Sequence, residues 1–518
     1  STPSRILSFF GRLNYNLMER YLLTVTFRAD GSSKFAPSNR WGYFPAAALG
    51  WRMSEEAFLN DVDWLDNLKL RVSYGEVGND GINSSLWSQN WEATSDKRYQ
   101  GAVNGAFLPS YSLGADMANK DLKWETTITR NIGVDFGFFN SRLTGTIDAY
   151  WNTTKDLLMK TAIPGITGFT STYANVGQTS NKGIEIALQG VLVKTRDWNV
   201  TAGFNINFNR GKVDKLADNV TGLYGTEWAT SSTFPKSDYV LKEGRPVGLV
   251  RGLTADGFYT TDDFTYENGV YTLKEGVADV SSAVFPNYHL HNGMNERPAG
   301  QLAYPGMAKF KDLNDDGIIN DDDVDVIGDM TPVHTGGFNI NATYKNFDLG
   351  LYFNWSYGNE IYNVNKLAAL YGYKEGAVYE NKLSIVKDCY KIYDVVNGEL
   401  VALTTPEQLN AANANAKLPL AYSENGYVST LGIEDGSYLR LNTLTLGYTL
   451  PKSMLQKAGI SNLRVYGSIY NVFTITGYSG IDAEVSTSTS TKTYPQLGMD
   501  WGTYPRARSF VLGVNLSF

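Results

Sequence analysis

The chain has 518 residues, 42% of them hydrophobic, with a mean hydropathy of -0.26. No run approaches the roughly 18–20 consecutive apolar residues of a spanning helix, which excludes a helical membrane protein. A net charge of -8 without any basic block excludes nucleic acid as a partner.

From the amino end the dominant pattern has a period of two, the mark of a strand with one wet and one dry face. A segment from about Ile6 to Leu17 leads into a short turn at Met18-Glu19-Arg20. Tyr21, Leu23, Val25 and Phe27 then alternate with Thr24, Thr26, Arg28 and Asp30. The second set would be ruinous in a buried core. On a barrel strand it faces a wet lumen while the first set faces lipid. Further along, Trp198, Val200, Ala202, Phe204, Ile206 and Phe208 alternate with polar residues that include Asn205 and Asn207. Phe338, Ile340, Ala342 and Tyr344 do the same, as do Phe347, Leu349, Leu351, Phe353 and Trp355. The last residues, Phe510, Leu512, Val514, Leu516 and Phe518, alternate to an aromatic end.

Short connections (Met18 to Arg20, Asn140-Ser141, Lys194 to Asp197, Lys345-Asn346) alternate with long ones at about 77–123, 154–180, 211–334, 358–435 and 475–507. Outer-membrane barrels have short periplasmic turns and long external loops. The pattern therefore predicts an all-β fold, a transmembrane antiparallel β-barrel with about thirteen strands here, and abundant Gly (51), Tyr (33) and aromatics (13%) suit it. The first strand runs downward into a periplasmic turn, and the count is odd where closed barrels are usually even. The span 1–518 reads as the carboxy-terminal part of a barrel. Ser1, with no signal peptide ahead of it, is expected to be a cut or a break in an external loop, with the upstream half in place.

A series of motifs in these strands resembles the SusC/RagA-like TonB-dependent transporters. They are Phe27-Arg28-Ala29-Asp30-Gly31-Ser32-Ser33-Lys34-Phe35, Arg40-Trp41-Gly42-Tyr43-Phe44-Pro45, Leu68-Lys69-Leu70-Arg71-Val72-Ser73-Tyr74-Gly75 with Gly78-Asn79, and Leu122-Lys123-Trp124-Glu125-Thr126. Asn181-Lys182-Gly183-Ile184-Glu185, Gly436-Ser437-Tyr438-Leu439-Arg440-Leu441, Tyr478-Ser479-Gly480 and Tyr504-Pro505-Arg506 complete them, nearly end to end. Ala483 departs from the proline frequent there in the family. The resemblance implies a 22-stranded barrel in the bacterial outer membrane, with a plug domain and about nine strands upstream. It also implies energy from TonB, a SusD-like surface lipoprotein as lid, and import of glycan oligosaccharides or short peptides. A passive porin or surface adhesin barrel is the alternative.

The sharpest local constellation is Asp312, Asn314, Asp316, Ile318, Asn320 and Asp323. Oxygen donors fall at positions 1, 3, 5, 9 and 12 of a calcium loop, with Gly317 at 6 and the Ile318 carbonyl at 7. A structural Ca²⁺ ordering part of the 211–334 region is expected; an acidic solvated turn is the bland reading. Position 12 is Asp rather than Glu, which shortens the bidentate reach. Trp87 and Trp91 are candidate sugar-stacking residues, against ordinary girdle or loop packing. His289 and His291 lack a third ligand nearby, and His334 is remote in sequence. With three histidines, the lone Cys389 and no carboxylate couple, no catalytic set is expected, so the chain is read as not an enzyme.

Overall fold

The computed structural model describes residues 4–518 except 90, 95–100, 105, 109, 115, 218–219, 230–232, 286–296, 371–381, 422–425, 456–458 and 486–495. Thirteen long strands form one antiparallel sheet in strict chain order. They are β1 (Ile6–Leu17), β2 (Tyr21–Ser32), β3 (Trp41–Arg52), β4 (Leu65–Asn79), β5 (Glu125–Phe138), β6 (Leu143–Lys155) and β7 (Gln178–Lys194). β8 (Trp198–Lys215), β9 (His334–Tyr344), β10 (Phe347–Tyr357), β11 (Tyr438–Thr449), β12 (Asn462–Thr476) and β13 (Ser509–Ser517) follow. β1 and β13 are the sheet's edges and do not pair with each other. No helix among the described residues is long and apolar enough to cross a membrane, which leaves crossing by strands untouched.

The alternation in the sequence becomes two faces of one wall, because successive side chains of a strand point to opposite sides. Register carries each face unbroken across the sheet. Leu13 pairs with Val25 and Val25 with Ala47, while the neighbouring pairs are Asn14 with Thr24 and Thr24 with Ala48. Ile206 faces Ile186, Phe204 faces Phe338, and Phe338 stacks on Phe353 at 4.3 Å between ring centroids. Leu23, Val25, Phe27, Phe204 and Ile206 thus lie on the apolar side, and Thr24, Thr26, Asn205 and Asn207 on the polar one. Aromatic pairs border the apolar band. Trp198–Tyr344 and Phe347–Tyr448 lie at the short-turn end, Phe9–Trp41 and Phe27–Tyr43 near the other.

Short turns sit at one end. In the three-residue connection from Met18 to Arg20, Met18 and Glu19 both take positive φ, 56° and 57°, and the Arg20 amide closes the turn on the Leu17 carbonyl at 3.1 Å. At the other end are the connections 80–124, 156–177, 216–333, 358–437 and 477–508. The last three pack into a platform with its own cores. One buries Phe234, Tyr259, Tyr271, Tyr304, Phe310, Tyr390 and Tyr427. A second joins Tyr239, Val250, Tyr362, Leu367, Val428 and Met499. Short parallel pairings tie the segments together, Thr233 with Gly426 and Tyr362 with Met499.

Candidate functional site at the lumen wall and its mouth

At the top of β2–β5 the rim is knotted. Phe35 and Phe44 pack on the Trp124 ring, each with centroids 5.5 Å away, and the indole donates to the Arg40 carbonyl at 2.9 Å. Buried Ser32 donates to Asp80 at 2.7 Å, and Lys34 donates to the Asp80 carbonyl at 2.9 Å. Arg28 pairs with Asp30 at 2.6 Å. Residues far apart in the sequence thereby close the strand ends against one another.

Below the rim, the polar face is crossed by long side chains lying along the wall. Arg71 on β4 forks onto Asp135 of β5 at 2.8–3.0 Å and reaches Asp148 of β6 at 3.0 Å. Such a two-pronged pair fixes geometry as well as charge. Arg464 holds Asp348 at 2.8 Å, and the Tyr150 hydroxyl donates to Asn209 at 2.8 Å. Gly183 lies under Tyr150 and Gly447 under Arg464; a Cβ at either would collide with the side chain resting there. Asn152, Asn181 and Asn207 present side-chain oxygens with no protein partner among the described residues. Asp135, Asp148 and Asp348 are tied to arginine, Lys69 stands near Asp135, and Glu185 lies opposite Asp148 and Asn207 among amides and hydroxyls. Among the described residues this face can hydrogen-bond and guide, and it assembles no nucleophile with a base.

At the mouth the polar contacts are buried. Arg440 is 2% exposed, pairs with Asp482 and with Glu484 at 3.4 Å, and lies over the Tyr438 ring at 5.6 Å. Arg506 also reaches Glu484, at 2.9 Å. Ala483, between the two acids, is buried against Ile361 and Tyr478, so the motif departure leaves the acid–arginine contact in place. Glu434 accepts from the Ser479 amide and hydroxyl, both at 2.9 Å, and from Lys366 at 3.1 Å. Burial pushes its carboxyl upward, but these donors outweigh burial and hold it below the usual range. Fully buried Asp238 accepts from the amides of Glu227, Trp228 and Ala229 at 2.8–3.0 Å, yet burial dominates and raises its carboxyl. Burial, then the neighbouring Asp388, pushes the Cys389 thiol up to about 11, which marks it as an inert packing group.

The sequence-derived candidates fall in the external connections. Trp91 is 66% exposed at the start of the short strand Trp91–Thr94, which pairs with Ser110–Leu113. Trp87 is half-buried, and no ring contact joins the two. In the acidic loop, Asp312 accepts from the Gly317 amide at 2.7 Å and Asp316 from the Ile318 amide at 2.8 Å, around Gly317 at φ 82°. Asn320 donates to the Ile318 carbonyl at 3.2 Å. Asp323 is fully buried and accepts from the amides of Leu313 and Asn320, at 2.7 and 2.8 Å, so it braces the loop from inside. The hard-oxygen donors and the left-handed glycine fit a calcium loop chemically. Among the described residues, however, no three His, Cys, Asp or Glu side chains converge on one point. His334 accepts from the Trp355 indole at 3.0 Å; His289 and His291 lie outside the described residues.

Arg440, Asp482, Glu434 and Asp238 were not singled out from sequence. Arg440 alone carried a signal, a charged residue inside an apolar strand motif. The comparisons identify the architecture. A family model described as TonB dependent receptor-like, beta-barrel, matches residues 1–310. The chain belongs to that family of outer-membrane barrels. TonB-dependent receptors are not enzymes. This receptor barrel is 32% identical to the TonB-dependent receptor SusC of Bacteroides thetaiotaomicron, over all of the chain and 44% of the relative. It is 31% identical to TonB-dependent receptor P3 of Formosa agariphila, over 99% of the chain and 46% of the relative. It also superposes on the RagAB peptide transporter with a TM-score of 0.72 at 25% identity, over 99% of this chain and 48% of that one. The chain thus spans about half the length of the relatives it matches.

Proposed function

We propose that the complete protein imports oligomeric nutrients across the outer membrane, energised through TonB, with this chain supplying part of the barrel and its external mouth. The observation that carries this reading is the likeness to SusC over the whole chain, external connections included. One solved relative is named a peptide transporter, while the resemblance to SusC/RagA-like transporters implies glycan oligosaccharides as well. The cargo class is therefore glycan oligosaccharides or short peptides. The lumen face, with its amides, hydroxyls and paired charges, suits both, since each presents many hydrogen-bond donors and acceptors. The platform built from 216–333, 358–437 and 477–508 offers a rigid floor for a SusD-like lipoprotein lid, and an upstream plug would fill the lumen. Exposed Trp91 is a candidate contact for cargo. The loop from Asp312 to Asp323 is proposed to take a structural Ca²⁺ on its donor order.

The test is uptake by whole cells with and without TonB, offering labelled oligosaccharides and peptides in parallel, together with purification of the complete transporter. TonB-dependent uptake of one class and a co-purifying lipoprotein are expected. Uptake unaffected by loss of TonB would favour a passive porin, and no uptake of either class a surface adhesin.

A further inference from the structure

The apolar face carries charge where the rest of the band does not. Register places Arg130 of β5 opposite Trp151 of β6, Trp151 opposite Lys182 of β7, and Lys182 opposite Arg210 of β8. Two steps along the same strands the paired residues are Ile132, Ala149, Ile184 and Phe208, so the row lies on the lipid-facing side. It sits near the external ends of its strands, the depth at which outer-leaflet headgroups begin. Lys182, Arg210 and Trp151 are exposed.

No carboxylate lies within ion-pair distance of these three cations among the described residues. Arg210 donates to the carbonyls of Pro332 and Asn209, at 2.7 and 3.0 Å. Arg130 reaches the Thr153 hydroxyl at 3.4 Å and lies 6.0 Å from the Tyr74 ring. The nearby acid on this face, Glu76, is hydrogen-bonded by the Tyr74 hydroxyl. Cations near a membrane surface commonly snorkel singly to the interface. Here Lys182 and Arg210 stand directly across a strand pair, an arrangement that like charges disfavour unless an anion lies between them. Just below, Trp151, Ile184, Phe208 and Val333 line an open groove of about 580 Å³ with almost wholly apolar walls. On β1–β3 the corresponding rim, with its Phe9–Trp41 and Phe27–Tyr43 stacks, is aromatic and uncharged.

We propose that Arg130, Lys182 and Arg210, with Trp151 among them, form a headgroup site on the outer wall for a phosphorylated glycolipid of the outer leaflet. Strands lie ~4.8 Å apart, so the row spans roughly 15 Å, room for more than one phosphate. The phosphates bridge the opposed cations, the sugar lies on the Trp151 face, and acyl chains occupy the groove. Lys182, part of a family-like motif, then acts toward the membrane and not toward cargo. The site stands apart from whatever the lumen transports.

The test uses the full-length transporter in detergent and follows its melting temperature as bis-phosphorylated lipid A is added. A saturable rise is expected, absent with the same lipid stripped of its phosphates. Replacing both cations (Lys182→Gln with Arg210→Gln) should raise the half-saturating concentration on the order of thirtyfold, two surface cations' worth of attraction. Lys182→Arg should leave it near the starting value. Equal stabilisation by the two lipids, or an equal rise with inorganic phosphate alone, overturns the proposal. The comparison of lipids on the unaltered protein decides it even if the double variant does not fold.

Discussion

The barrel wall and the external platform solve the same problem in opposite ways. In the wall, each strand meets only its neighbours, and one rule of alternation fixes both faces, so that Phe204, Phe338, Phe353 and Leu441 form a row with no further instruction. In the platform, contacts join residues far apart in the chain, as Phe310 meets Tyr427. Buried polar groups there, Asp238 and Glu434 among them, are held one by one by local donors. A regular element distributes its specification over many weak, equivalent choices; an irregular one concentrates it in a few residues.

Single substitutions should therefore do more harm in the platform and where a wall strand is anchored to it, as Arg440 of β11 is to Asp482. Arg440→Ala leaves Asp482 buried without its partner and should cost about 3–5 kcal/mol, read as a lower unfolding temperature of the complete transporter. Loss of less than about 1 kcal/mol would place Arg440 with exposed pairs. The wall's largest response comes from reversing a face. Ile206→Arg should cost about 2–4 kcal/mol in a heat-shift gel assay, while Asn207→Arg, toward the lumen, should be nearly silent. Equal costs would contradict the assignment of faces.

Asp238→Asn keeps the shape but turns one acceptor oxygen into an NH2 donor that must face at least one of the three amides, and should loosen 227–229 by about 1–3 kcal/mol, detected as faster amide exchange there. Protonation separates two acids of the platform. The folded carboxyl of Glu434 lies below its unfolded value, so its contribution is present above the unfolded range and is lost as pH falls through the folded one. Asp238 is shifted upward, so its share grows on acidification. Protection of Ser479 should fall only once pH drops below the ordinary carboxylate range, and should lose that dependence in Glu434→Gln. The smallest effect is expected at the acidic loop, where millimolar calcium should protect 312–323 from proteolysis; no change would leave it a hydrogen-bonded turn.

How much could be read beforehand follows the same divide. The thirteen strands and their facing were legible because Tyr21 to Asp30 or Phe338 to Tyr344 repeat one local signal. The motifs of Phe35, Phe44 and Trp124 were visible as words, but their meaning, a closed rim, needed three separate strand ends brought together. Asp238 and Glu434 gave no signal, since nothing near them in sequence announces the amides and hydroxyl that surround them. Asp323 was legible as an acid of the loop but not as its internal brace.

The glycines beneath Tyr150 and Arg464 bear on clearance. By letting a bulky neighbour recline, Gly183 and Gly447 keep the bore wide where a ring or guanidinium would otherwise jut inward. A methyl group at Gly447 would tip the Arg464 guanidinium and the Asp348 carboxylate upright, whereas at Gly183 it would also press on the Phe208 carbonyl and strain the strand itself. At Gly447 the harm would register as friction, slower passage of whatever must slide along the inner surface.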